Sequence, residues 1–165
     1  DLMTIREYKG SFKGLTLCFV GDGNNLANSL IVGCIKLGIK VAIACPAGYL
    51  PDAELVKWGK GQGMLTITES VAEAIADSDV VYTDVWASMG QEQEMEKRRK
   101  VFERYQVNAE MMSLAKKDAI VQHCLPAHRG EEITDEVFEA HANELFEEAE
   151  NRLHAQKAVM AILLG

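Results

Sequence analysis

Asp84 stands where a strand should end, directly after Val80-Val81-Tyr82-Thr83, and a small-residue turn, Ala87-Ser88-Met89-Gly90, follows it. An acid at a strand terminus suits a cationic group, and a pliable turn beside it suits a closing lid. The plainer alternative is an acid that only caps the next helix. Gly21-Asp22-Gly23-Asn24-Asn25 is a second polar strand end. A glycine turn leading into a helix N-terminus is a natural cradle for negative or polar ligands. Asn25 there reads either as a plain N-cap or as a side-chain amide held for a ligand. The third is His123-Cys124-Leu125-Pro126, where proline keeps the neighbouring carbonyls out of a helix. A metal site built from His123, Cys124 and His128 lacks a fourth ligand at workable spacing. A catalytic Cys–His pair on adjacent positions is also poor, because neighbouring strand side chains face opposite ways. Arg152, early in the last amphipathic segment, is either a surface salt-bridge residue or a cation reaching into a crevice.

These residues need a frame that brings distant strand ends together. Leu15–Val20, Val41–Cys45, Met64–Thr68, Val80–Thr83 and Ala119–Gln122 read as strands, and the first is a continuous apolar run of the kind buried on both faces. Between and around them the spacing predicts helices over 1–9, 26–38, 52–60, 70–76, 91–105, 108–117, 134–141, 144–147 and 148–164. Such alternation predicts an α/β fold: a doubly wound, mostly parallel, Rossmann-like sheet flanked by helices, in a single domain. The charged run from Gln91 to Tyr105, acids first and bases after, suits the helix dipole and reads as a solvated face. The glycine turn departs from G-x-G-x-x-G, with Ala27 or Asn28 where the third glycine would stand, so a dinucleotide fingerprint is weak.

With 165 residues, the chain is long enough to bury roughly 70% of its unfolded surface. A net charge of -8 disfavours nucleic acid as a partner, since phosphate binding needs a basic face. No apolar run approaches the ~20 residues a bilayer crossing needs, and no signal-like stretch opens the sequence, so no membrane partner is expected. Cys18, Cys34, Cys45 and Cys124 have no CxxC spacing, and three sit in apolar runs where a reduced core thiol is the default. A soluble, cytoplasmic protein is expected.

Taken together, the three strand ends resemble the ornithine carbamoyltransferases, specifically their second, ornithine-binding domain. The matching stretches are Gly21-Asp22-Gly23-Asn24-Asn25, Asp84-Val85-Trp86-Ala87-Ser88-Met89-Gly90, His123-Cys124-Leu125-Pro126, Asp135-Glu136-Val137-Phe138 and Ala149-Glu150-Asn151-Arg152. The resemblance implies carbamoyl transfer from carbamoyl phosphate to the δ-amine of ornithine, giving citrulline and phosphate, with no cofactor and no metal. It implies that Asn25, Asp84, Ser88 and Met89 hold ornithine, that Cys124 and Leu125 line the junction with carbamoyl phosphate, and that Arg152 binds the carbamoyl phosphate side. Cys124 and Arg152 carry the catalytic roles by the same resemblance.

A carboxylate touching the attacking nitrogen would favour its charged, unreactive form. Asp84 is therefore expected to orient the ligand, with a partly buried Cys124 as the proton-handling partner. Residues 1–165 correspond to the ornithine-binding domain, with 1–9 as a remnant interdomain helix and 148–164 as the C-terminal helix. The family's Ser-Thr-Arg-Thr-Arg and His-Pro-x-Gln stretches, and with them its N-terminal carbamoyl phosphate domain, are absent. An inactive isolated domain is expected, with Ile5, Val159, Ile162 and Leu163 partly bare. Full-length relatives form homotrimers or multiples of trimers. The alternatives are a sister carbamoyltransferase acting on acetylornithine, putrescine or aspartate, a nucleotide-binding oxidoreductase domain, and a non-catalytic interaction module.

Overall fold

The computed structural model describes residues 1–87 and 94–165. Its frame is a five-stranded, all-parallel sheet of β1 (Thr16–Val20), β2 (Lys40–Ala44), β3 (Leu65–Thr68), β4 (Val80–Thr83) and β5 (Ile120–Gln122), in the order β3-β2-β1-β4-β5. The strands pair in register, Leu17 with both Val41 and Val80, and Val80 with Ile120. Alternation along them feeds two cores. Leu17, Phe19, Val80, Tyr82 and Ile120 face one apolar cluster, while Cys18, Val20, Val81 and Val121 face the other. The sheet is therefore covered on both faces, as its continuous apolar strands require.

The helices are α1 (Leu2–Lys9), α2 (Asn25–Lys36), α3 (Ala53–Gly61), α4 (Val71–Ile75), α5 (Met95–Phe102), α6 (Ala109–Met112), α7 (Asp135–Ala140) and α8 (Ala142–Leu164). Asp52, Ser70, Asn108 and Thr134 cap α3, α4, α6 and α7 through their side chains. Sequence order runs outward from β1 to β2 and β3, then returns to place β4 on the other side of β1. That reversal opens a crevice at the carboxyl ends of β1 and β4.

Some boundaries differ from expectation. The segments 144–147 and 148–164 form one continuous α8, because Ala142 to Glu148 holds neither glycine nor proline to break it. The helix expected over 108–117 stops at Met112, since Leu114 O and Lys116 N bond to Asp77 N and Ser78 O instead. Ile5, expected partly bare, is fully buried in the core beneath α1, whereas Ile162 is 82% exposed and Val159 and Leu163 are exposed as well. Among the described residues, no helix is long and apolar enough to cross a membrane.

Candidate active site

Asn24, not Asn25, is the cap of α2. Its Oδ1 accepts from Leu26 N at 2.9 Å and Ala27 N at 3.2 Å. The same amide donates from Nδ2 to Asp84 Oδ2 at 3.0 Å, so one residue starts the helix and orients the acid of the neighbouring strand end. The cap reading of Asn25 is thereby corrected. Asn25 begins the helix, exposed, with its side chain on the cleft. Among the described residues, Asp84 caps no following helix either. It is 8% exposed, and its Oδ1 accepts from Val85 N at 2.9 Å and from the Cys124 thiol at 3.3 Å.

Cys124 follows β5 and is more open than expected, counting as exposed. Its thiol is nevertheless pushed up to about 12, by desolvation first and then by the charge and hydrogen bond of Asp84. It is a protonated thiol in the free cleft. Leu125 beside it has φ +51, in the left-handed region where a branched side chain is disfavoured. Asn25, Asp84, Cys124, Leu125 and Arg152 all line one cleft of about 1160 Å³. Ser88 and Met89 lie outside the described residues. Arg152 is exposed and makes no ion pair with a described residue.

Two further side chains, Glu148 and Arg98, hold the segments around this site. Glu148 is 4% exposed and lines the cleft; its Oε1 accepts from Tyr82 Oη at 2.8 Å and its Oε2 from His123 N at 2.9 Å. Burial raises the pKa of both Glu148 and Tyr82. The only advance signal was spacing, since Glu148 stands one helical turn before Arg152. Arg98, inside the charged run read as a solvated face, is 4% exposed. It pairs with Asp22, donates from Nε to Trp86 O, and lies over the rings of Tyr49 and Phe102 at 4.9 and 5.4 Å. Burial raises the Asp22 carboxyl above its usual range, against the opposing pull of Arg98. Nothing in a mixed-charge run marks out one arginine for burial.

Two other chemistries are accounted for by geometry. Asp84, His123 and Cys124 bring ligand-type atoms within 4.8 Å of one another, but the ring nitrogens of His123 face Leu125 N at 2.9 Å and Glu132 Oε1 at 3.1 Å. At the glycine turn, Gly23 N donates to Tyr49 O at 2.8 Å, and a Cβ on Gly23 would meet Pro51 N at 2.3 Å. The protein's own β2–α3 loop thus covers the surface a dinucleotide phosphate would need.

Residues 13–163 match the family model described as aspartate/ornithine carbamoyltransferase, Asp/Orn binding domain. The chain belongs to the aspartate/ornithine carbamoyltransferases. Within this family, ornithine carbamoyltransferases of Thermococcus kodakarensis and Carboxydothermus hydrogenoformans are 51% and 53% identical over 170 and 173 residues, each covering 100% of this chain. The match takes in 54% and 55% of those proteins, so the chain spans about half the length of the curated relatives it matches. Solved ornithine carbamoyltransferases agree. That of Pyrococcus furiosus superposes with a TM-score of 0.89 at 49% identity, covering 98% of this chain and 53% of that one. The anabolic enzyme of Campylobacter jejuni gives 0.91 at 40%, covering 99% and 56%. The nucleotide-binding oxidoreductase alternative is not favoured by any of this.

Proposed function

We propose that this chain supplies the ornithine half of an ornithine carbamoyltransferase site, acting in arginine biosynthesis in the cytoplasm. Residues 1–165 form the ornithine-binding unit, with α1 and the bare C-terminal part of α8 facing a carbamoyl phosphate domain outside this chain. The full-length protein assembles as a homotrimer or a multiple of trimers, and this chain alone is inactive. The observation that carries the reading is how Asp84 and Arg152 stand on the cleft. Asp84 bonds to neutral donors, Asn24, Val85 N and the Cys124 thiol, and Arg152 makes no ion pair with a described residue. The cleft therefore offers an acid and a cation that are not paired to each other or to a described partner, which suits a diamino acid meeting an anionic carbamoyl donor.

The side-chain amine of ornithine attacks the carbamoyl carbon. A C–N bond forms, the C–O bond to phosphate breaks, and phosphate leaves with the electron pair. With its thiol held protonated, Cys124 cannot begin as a base. It takes the amine proton as it passes its own to Asp84 Oδ1, 3.3 Å away. Arg152 stabilises the charge that grows on the carbamoyl oxygen. Asn25, Ser88 and Met89 hold the rest of ornithine, and Leu125 borders the carbamoyl phosphate side.

In the full-length protein, Asp84→Asn is expected to raise the KM for ornithine by about tenfold or more. Carbamoyl phosphate affinity, measured by calorimetry, should stay within about threefold of the parent. Equal losses for both substrates would remove Asp84 from the ornithine side.

A further inference from the structure

His123 is fully buried in the bend after β5 and is held from three directions. Its main-chain N–H donates to Glu148 Oε2 at 2.9 Å. Its ring Nδ1 accepts the Leu125 N–H at 2.9 Å, and its Nε2 lies 3.1 Å from Glu132 Oε1. A backbone N–H can only donate, so Nδ1 carries no proton and the ring proton sits on Nε2, aimed at Glu132. Glu132 Oε1 also accepts the His128 N–H at 2.6 Å. Thus one carboxylate oxygen ties together both ends of the 123–128 bend.

Glu132 is itself 0% exposed, and its Oε2 has no partner among the described residues. A buried carboxylate with an idle oxygen costs stability and calls for an explanation. The bend provides one. Leu125 sits at φ +51, which a leucine adopts only when its surroundings fix it, and the bond fixing its N–H is the one to the His123 ring. We propose that Glu132 is a positioning residue: by imposing the Nε2–H form on His123, it holds Leu125 left-handed and keeps the Cys124 thiol against Asp84 on the cleft.

This assignment deepens the reading of Cys124 as a reaction residue and rests on it for its purpose, yet its test needs no substrate. Two variants of this chain, Glu132→Gln and Glu132→Ala, are compared by two readouts. The first is the ring-nitrogen NMR signature of His123. The second is the alkylation rate of each cysteine by iodoacetamide at about pH 8.5, resolved by mass spectrometry. Glutamine still offers an oxygen to both donors, so Glu132→Gln should keep the Nε2–H signature and a Cys124 rate within about twofold of the parent.

Glu132→Ala should lose that signature. Its Cys124, no longer held on Asp84, should react about tenfold faster or more, with Cys18, Cys34 and Cys45 still protected in the core. An unchanged tautomer and an unchanged Cys124 rate in Glu132→Ala would overturn the assignment. So would equal acceleration at all four cysteines, which would reduce Glu132 to a contributor to core stability. Either result leaves the Asp84 test of substrate side untouched.

Discussion

Arg98 offers the sharpest test of how the cleft loops are held, through Arg98→Met. The guanidinium neutralises Asp22 in the β1–α2 turn, holds Trp86 O two residues after Asp84, and lies against Tyr49 and Phe102. Methionine keeps much of the stem packing but strands Asp22 as an uncompensated, half-buried carboxylate. Removing one partner of a buried pair costs about 3–5 kcal/mol when the survivor stays charged. The variant has an escape, which is to protonate Asp22. For an ordinary carboxyl near pKa 3.9 that costs about 4 kcal/mol at pH 7 and about 1.5 kcal/mol at pH 5, which sets a ceiling on the loss. Asp22 is already raised by burial, and losing Arg98 removes the two influences that lower it.

The sign follows from linkage. A raised folded-state pKa gives stability that is full below the unfolded value and is lost as pH climbs through the folded one. Arg98→Met should therefore cost up to about 4 kcal/mol at pH 7 and no more than about 1.5 kcal/mol at pH 5. Urea unfolding at both pH values measures this, with the slope m checked for constancy. Asp22→Asn in the same background should restore most of the loss at pH 7. A loss under about 1 kcal/mol at pH 7, or the same loss at both pH values, would show that the pair does not bear buried charge.

Two further outcomes follow from the same coordinates. Asn24→Ala should destabilise the chain by about 1 kcal/mol through the lost cap, while Asn25→Ala should change stability by less than about 0.5 kcal/mol, both read by thermal melting. Reversed magnitudes would return the cap to Asn25. Gly23→Ala should cost more than about 3 kcal/mol, because its Cβ meets backbone at Pro51 N that cannot turn aside, whereas Gly61→Ala, in open space within α3, should gain about 0.5 kcal/mol on the same melts.

The strands and their parallel order were legible because continuous apolar runs have one good home, a sheet covered on both faces. Asp84 and Cys124 could be flagged because polar residues ending such runs must emerge at one rim. What stayed hidden was pairing. Asn24 and Asn25 are identical in type and adjacent, and only the start of α2 decides which becomes the cap and which meets the cleft. Arg98 sits among Lys97, Arg99 and Lys100, and its burial depends on rings contributed from position 49 and on its own helix at 102. Ile5 reads as bare because α1 is expected to pack on a domain outside this chain, yet its place in the core depends on neighbours distant in sequence.

Glu148 joins these local facts into one device. It bonds the tyrosine of β4 and the main chain after β5, so α8 is pinned by a polar residue at the foot of the crevice. One turn on, Arg152 lies on the same face, about 6 Å further along the axis, and Gln156 another turn beyond also lines the cleft. From the adjoining stripe of the helix, Asn151 donates to Thr4 Oγ1 at 3.0 Å and to Glu7 Oε2 at 2.5 Å, which binds α1 to α8. These bonds tie α8 to the sheet and to α1 on the stretch that carries Arg152 to the cleft. Arg152 is thus carried to the cleft by a helix held through an acid whose two oxygens bond to Tyr82 and the His123 main chain.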